Sequence, residues 1–173
     1  MIIQSMLLGG TLKAPTIGRL TTKLLLSFND SDGATTFKDR SLRNLAFSAI
    51  GNARIRTAQS KFGGSSLYLD GTGDYLERVR TQDLQLNSDF TFERWLYLVG
   101  TPDGDRAVFT HWKSGSLGFF FGLQSDRTVS FYYSNNGSSG VFSIASADAV
   151  PLNTWTHVAW TRFRNALKLH VGG

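Results

Sequence analysis

The sequence has no cysteine, only three prolines and no long hydrophobic run. Without cysteine the chain has no disulfide, no thiolate metal ligand and no cysteine nucleophile. A membrane-spanning helix needs about 18 consecutive apolar residues, and no apolar stretch of this chain approaches that length. The sequence therefore predicts no insertion into a membrane.

Charge is present but scattered along the chain. The 173 residues include 18 Lys and Arg against 13 Asp and Glu, a formal net charge of +5. Such a balance fits an acidic partner, which could be nucleic acid, an acidic membrane face or an acidic glycan. However, no basic run is interleaved with stacking aromatics, the pattern typical of single-strand binding. We therefore expect no nucleic-acid partner.

Aromatic residues make up 13% of the chain, and 18 residues are glycine. This composition favours a β protein with tight turns. No segment keeps helical periodicity over three turns. Short β-type runs recur instead every 8–14 residues, the spacing of a sandwich or barrel. The predicted strands are 22–28, 45–50, 53–58, 66–70, 74–79, 89–98, 106–112, 117–123, 127–133, 140–146, 154–163 and 166–171.

Several of these runs alternate cleanly between two faces. In 127–133, Val129, Phe131 and Tyr133 share one face, and Tyr132 lies on the other. The run 117–123 is apolar on both faces, so we expect it to be a central strand.

The first 21 residues differ from the rest, because glycines and a proline break the β pattern. We interpret 1–21 as an N-terminal arm or strand, with 2–8 as a short strand or docking arm, and we expect residues 1–20 to pack on a partner chain or on a sheet edge. Residues 22–173 form the main domain. Residues 1–20 are thus the expected contact in a homo-oligomer or with other proteins of a particle.

Five segments in order resemble the concanavalin A-like, laminin G-like domains, and the bacterial and phage branch most. They are KLLLSFNDSDG (23–33), QSKFGGSSLYLDGTGDYL (59–76), DFTFERWLY (89–97), NTWTHVA (153–159) and LKLHV (167–171). The resemblance implies an all-β, two-sheet antiparallel jelly roll over 22–173. It also implies that further strands follow residue 171. We therefore expect either a C-terminally incomplete domain, a fragment of a longer protein, or neighbouring chains that supply the missing strands through residues 2–8. Without those strands, Leu24, Leu26 and Phe119 would lose cover.

Arg94 departs from the resembled family, which has an apolar residue at this position. A buried, unpaired Arg costs several kcal/mol. Arg94 therefore reaches a carboxylate, lies on a partly open strand face, or marks a disrupted pattern.

Catalytic patterns are missing. Retaining glycosidases need two carboxyls about 5–5.5 Å apart, but the two glutamates, Glu77 and Glu93, fall on different predicted strands. No Gly-x-Ser-x-Gly elbow and no His-x-His spacing occurs either. We expect no enzymatic activity, with a degenerate glycoside hydrolase as the enzyme alternative.

Two kinds of ligand fit the turn and loop residues. Calcium takes six to eight oxygens, and the resemblance implies a rim site with Asp70 and Asp74 as the metal ligands. A glycan site combines aromatic rings with amides, and the residues expected to form it are Trp112, Tyr132, Tyr133, Asn135 and Asn136.

The main functional hypothesis is a non-enzymatic binding or structural module on a virion surface, such as a phage tail-fibre or capsid-decoration protein with glycan adhesion. The alternative is a secreted or cell-surface lectin module, located outside the cell.

Overall fold

The computed structural model describes residues 2–10, 22–79, 84, 86, 88–112, 115, 118–134, 136 and 142–173, with 2–10 described by their backbone alone. No helix in this part of the chain is long and apolar enough to cross a membrane. The described strands are β1 (Ile2–Gly10), β2 (Leu24–Leu26), β3 (Ser48–Ile50), β4 (Arg54–Arg56), β5 (Ser66–Tyr68), β6 (Tyr75–Glu77), β7 (Phe90–Tyr97), β8 (Arg106–His111), β9 (Gly118–Leu123), β10 (Thr128–Ser134), β11 (Phe142–Ala149), β12 (Thr156–Phe163) and β13 (Ala166–Val171).

These strands form two main sheets. The seven-stranded sheet has the order β13-β12-β7-β1-β5-β4, with β2 also paired to β1, and the four-stranded sheet has the order β11-β10-β9-β8. Strands β3 and β6 form a separate pair, and every pairing between strands is antiparallel. The predicted all-β, two-sheet antiparallel sandwich is confirmed. Each of the twelve predicted runs overlaps a strand, and β9 is central in its sheet as expected.

Strand β1 lies inside the seven-stranded sheet of its own chain. One side of it pairs with β7 from Ile2 to Gly10, and the other side pairs with β2 and β5. The expectation that these residues lie at a sheet edge is therefore wrong. The division of the chain at residue 21 stays a prediction.

The core between the two sheets is dominated by aromatic rings. Strand β7 alternates buried and half-buried residues along its whole length, so its inner residues face the other sheet. Phe92 stacks on Phe121 of β9 at 4.6 Å between ring centroids and 2° between planes. Trp160 of β12 contacts the same ring at 5.3 Å and donates its indole N–H to the Ser130 carbonyl at 2.9 Å. Burying each such side chain contributes about 1.5–3 kcal/mol.

The predicted loss of cover at Leu24, Leu26 and Phe119 is wrong, because all three are at most 1% exposed. Strand β2 gains a partner in β1. The Phe119 ring is packed between Phe109, at 5.8 Å, and the His111 imidazole, at 5.3 Å. Aromatic packing within the four-stranded sheet thus covers this part of the core.

Arg94 is buried in the core, at 2% exposure. Its Nη1 donates a hydrogen bond to the Val108 carbonyl, while its Nε has no hydrogen-bond partner among the described residues. The pairing of β8 with β9 shifts register between Ala107 and Phe109, and such a shift takes a backbone group out of the ladder. Arg94 therefore satisfies a backbone carbonyl on a closed face. Burial lowers the pKa of Arg94 to about 9.

A buried carboxylate, Asp39, organises the loop between β2 and β3. It accepts hydrogen bonds from the backbone N–H groups of Leu25, Ser41 and Leu45, each at 2.9 Å, and from the Ser41 hydroxyl at 2.7 Å. Burial raises the pKa of Asp39, but these donors together outweigh it and hold the pKa below its ordinary value. The ionised carboxylate thus fastens the loop to β2.

Candidate functional site

The outer face of the four-stranded sheet carries aromatic side chains. In β9, Phe119, Phe121 and Leu123 point into the core, so Phe120 points outward between Gly118 and Gly122. In β10, Tyr132 lies directly opposite Phe120. The two rings meet edge to face at 5.8 Å between centroids and 61° between planes.

The two glycines of β9 make room for aromatic rings on this face. A Cβ on Gly122 would lie 2.2 Å from Phe120 Cε1, so the Phe120 ring lies over the backbone of Gly122. A Cβ on Gly118 would lie 3.1 Å from Trp112 Cε3, and Trp112 is 41% exposed. Trp112, Phe120 and Tyr132 thus form one partly exposed aromatic surface, which we call the aromatic face.

Polar groups hold one end of the aromatic face in place. Gln124 Nε2 donates to the Tyr132 hydroxyl at 3.1 Å, and the Thr128 hydroxyl donates to Gln124 Oε1 at 2.9 Å. Because the Tyr132 oxygen accepts from Gln124, its own proton can be donated to a ligand. Ser143 of β11 is exposed and lies opposite Tyr132 on the other side. The Tyr132 ring is therefore fixed by hydrogen bonding as well as by packing.

Asp126, in the turn that leads into β10, supports the same end. Its carboxylate accepts from the backbone N–H of Thr128 at 2.8 Å. It also lies 2.6 Å from the Thr128 hydroxyl oxygen, whose single proton it shares with Gln124 Oε1. These hydrogen bonds hold the pKa of Asp126 below its ordinary value, and the one from the Thr128 hydroxyl contributes most.

The structure brings some of the predicted glycan residues together and separates others. Trp112 and Tyr132 lie on the aromatic face. Asn136 lies beyond its end, where its Oδ1 accepts from the Ser134 hydroxyl at 3.1 Å. Tyr133 points the other way and packs against the hydrophobic core. Asn135 lies outside the described residues.

Phe120 and Gln124 were not predicted as site residues. The sequence signal for Phe120 is its position between two glycines at i−2 and i+2, which leaves room for aromatic rings beside it on that strand face. Gln124 follows β9 directly, and its role depends on the pairing of β9 with β10. Local sequence alone does not show that pairing.

The predicted calcium ligands, Asp70 and Asp74, accept hydrogen bonds from their own turn and from Asn52, in the turn between β3 and β4. Asp74 accepts from the N–H of Asn52 at 2.5 Å and of Asp70 at 2.7 Å. Asp70 accepts from the N–H of Thr72 at 2.8 Å, which with the Asn52 amide holds the pKa of Asp70 below its ordinary value. No group of three or more His, Cys, Asp or Glu in the described part of the chain is placed to hold a metal. Calcium binding stays a prediction.

The two glutamates lie in different sheets. Glu77 belongs to β6, in the β3–β6 pair, and Glu93 belongs to β7. On the outer face of the seven-stranded sheet, Glu93 Oε2 lies 3.0 Å from His157 Nε2. The lack of enzymatic activity stays a prediction.

Comparison with known proteins agrees with this architecture. Residues 70–173 match the family model of laminin G-like domains described as the concanavalin A-like lectin/glucanases superfamily. Since this match spans more than half of the chain, the protein belongs to that superfamily. Its placement in a bacterial and phage branch stays a prediction. No curated protein matches the sequence.

One solved structure has a similar fold. It is the crystal structure of residues 221–444 of an S-layer domain-containing protein from Clostridium thermocellum, at a TM-score of 0.53. The two chains are 24% identical over 86% of this chain and 67% of that one. At this identity the similarity shows the fold alone.

Proposed function

We propose that the protein is a carbohydrate-binding module and that the aromatic face is its binding site. The observation that carries the proposal is the placement of Trp112, Phe120 and Tyr132 on one sheet face, over two glycines that no larger residue can replace without a shift. Membership of a lectin and glucanase superfamily supports it.

The chemistry of this face fits a sugar. A pyranose presents an apolar C–H surface and a rim of hydroxyls, so it needs a ring to stack on and polar groups around it. Trp112 and Phe120 supply the apolar surface. The Tyr132 hydroxyl and exposed Ser143 supply hydrogen bonds at its border, with Gln124 holding the phenol oriented. Orienting such groups in advance reduces the entropy lost on binding.

A carbohydrate-binding module works where glycans are, so we place it outside the cell or at a cell surface. The similar fold of an S-layer domain-containing protein supports this location. A position on a virion stays a prediction, since neither the family nor that neighbour bears on it.

A glycan array followed by calorimetry tests the proposal. We expect binding to at least one neutral glycan, weakened about 5- to 150-fold by Trp112→Ala or Tyr132→Ala, which corresponds to the loss of about 1–3 kcal/mol of ring stacking. Tyr75→Ala is the matched control, because Tyr75 is an exposed ring on β6, outside the aromatic face. Equal losses in Tyr75→Ala and Tyr132→Ala, or an array without a ligand, would contradict the proposal.

A further inference from the structure

A basic groove lies on the other sheet, where β4 pairs with β5. In β4, Ile55 is buried in the core, so Arg54 and Arg56 on either side of it project from the outer face. In β5, Tyr68 lies opposite Arg54, and Ser66 lies opposite Arg56. Strand β4 is the last strand of the sheet on this side, and its outer edge is covered by Gly33 and Ala34, which exchange backbone hydrogen bonds with Ile55 at 2.8 Å.

Both guanidiniums are oriented by neighbouring groups. Arg54 lies over the Tyr68 ring, 5.4 Å from its centroid, and donates from Nη1 to the Asn52 carbonyl at 2.9 Å. Arg56 Nε lies 3.4 Å from the Asp32 carboxylate. Each arginine has five N–H donors, and these contacts use only some of them. The pair is thus held in place with donors left for a ligand.

The walls of the groove add polar groups around a defined space. It has a volume of about 370 Å³ and is lined by Arg54, Arg56, Ala58, Gln59, Ser66 and Tyr68. The Ser66 hydroxyl donates to the Gln59 carbonyl at 2.6 Å, which fixes the wall opposite the arginines. Ligand pockets begin at about 300 Å³, so this groove takes one sugar-sized unit.

The charge of the lining selects the ligand. Two arginines line the groove and no carboxylate does. Asp32 and Asp70 are close enough to interact with Arg56 and Arg54, but both lie outside the lining. A guanidinium binds a carboxylate or a sulfate through paired N–H donors. The lining is therefore complementary to one anionic group.

From this arrangement we infer that the groove binds the anionic group of an acidic saccharide, either a uronate carboxylate or a sulfate ester. The Gln59 amide and the Tyr68 hydroxyl provide the hydrogen bonds that the neighbouring sugar hydroxyls need. A single-stranded nucleic acid fits less well, because the single aromatic ring of the groove is covered by Arg54 and is not open for base stacking. This site lies on the opposite sheet from the aromatic face and does not depend on it.

Calorimetry with four probes of matched length tests the inference. The probes are an oligogalacturonate, a sulfated heparin oligosaccharide, a neutral glucose oligosaccharide and single-stranded DNA. We expect the wild-type protein to bind one of the two acidic saccharides at least ten-fold more tightly than either the neutral saccharide or the DNA. The tighter of the two shows whether the anion is a carboxylate or a sulfate.

Variants locate the binding. Arg54→Gln with Arg56→Gln is expected to weaken acidic-saccharide binding at least ten-fold, and Arg54→Lys with Arg56→Lys to weaken it less, because lysine keeps the charge but loses the paired donors. The matched control is Lys38→Gln with Lys168→Gln, which removes the same charge at two exposed positions away from the groove. We expect it to change affinity less than two-fold.

Three outcomes overturn the inference: equal weakening in the control variant, DNA bound as tightly as the acidic saccharides, or no preference for acid over neutral sugar. Because the groove is a separate site from the aromatic face, Tyr132→Ala is expected to keep the affinity for the acidic saccharide. Failure of the aromatic face and failure of the groove are therefore distinguishable.

Discussion

Arg94 Nη1 donates a hydrogen bond across the sandwich to the backbone carbonyl of Val108. This contact joins β7 of the larger sheet to the bulged edge strand β8 of the smaller one. It places a positive charge among aromatic and aliphatic side chains with no carboxylate in hydrogen-bonding contact, so far as the described residues show. A buried charge without a counterion costs several kcal/mol, more than one hydrogen bond returns.

Arg94→Met is therefore expected to stabilise the protein by about 1–3 kcal/mol at pH 7, measured by chemical denaturation. The gain depends on pH because burial lowers the pKa of Arg94 to about 9. Above that pH the folded protein loses the proton while the unfolded chain keeps it, so the cost of the buried charge falls. The difference between the variant and the wild type should shrink from pH 9 to pH 11. A variant less stable than the wild type at every pH would show that the bond to Val108 outweighs desolvation.

Asp39→Asn is expected to destabilise the protein by about 1–3 kcal/mol at pH 7, because an amide cannot accept all four hydrogen bonds that the carboxylate accepts. The pKa of Asp39 is held below its ordinary value. Its contribution is therefore complete above about pH 4 and is lost as the pH falls through the lowered pKa.

Urea titrations between pH 3 and pH 7 measure this change. Asp148→Asn, at an exposed position on β11, is the matched control and should leave stability within about 0.5 kcal/mol. A loss for Asp39→Asn that does not diminish at low pH would contradict the assigned role of the ionised carboxylate.

Gly122→Ala is expected to disturb the aromatic face. Its Cβ would lie 2.2 Å from the Phe120 ring and 2.6 Å from Ser130 Oγ, so Phe120 must move, at a cost of about 1–3 kcal/mol. Glycan affinity should fall together with thermal stability. Gly100→Ala is the control, since nothing lies within 4 Å of its added Cβ. If Gly122→Ala left the glycan affinity unchanged, the Phe120 ring would not contribute to glycan binding.

Leu7→Pro tests the position of β1. Leu7 pairs with Leu25 on one side and with Glu93 on the other, so proline removes a ladder hydrogen bond from the middle of a sheet. We expect a loss of at least about 1–3 kcal/mol, seen as a lower melting temperature by circular dichroism. Leu7→Val is the matched control for the proline variant, because valine keeps the backbone N–H group and a high β propensity. An unchanged melting temperature for the proline variant would indicate an arm that docks elsewhere.

Much of the fold could be predicted from local pattern. The alternation in 127–133 assigns Val129 and Phe131 to the core and Tyr132 to the outside, because successive strand residues point to opposite faces. The same alternation places Tyr133 in the core, which conflicts with its choice as a glycan residue beside Tyr132. Turn chemistry marked the strand ends, and the ordered motifs indicated the family.

Other features depend on contacts between distant parts of the chain. The position of β1 between β7 and β5 is a choice among pairings that periodicity does not distinguish. The partner of Arg94 is a backbone carbonyl exposed by a register shift, and a backbone group has no sequence signature. The roles of Phe120 and Gln124 appear only once β9 and β10 are paired.

The most direct test of the aromatic face is an NMR titration of the ¹⁵N-labelled protein with a glycan that it binds. We predict that the indole N–H of Trp112 and the backbone amides of Thr110, Phe120 and Tyr132 shift together and saturate at one dissociation constant. Shifts confined to the turn of Asp70 and Asp74, or to the outer face of the seven-stranded sheet, would contradict the assignment of the neutral-glycan site.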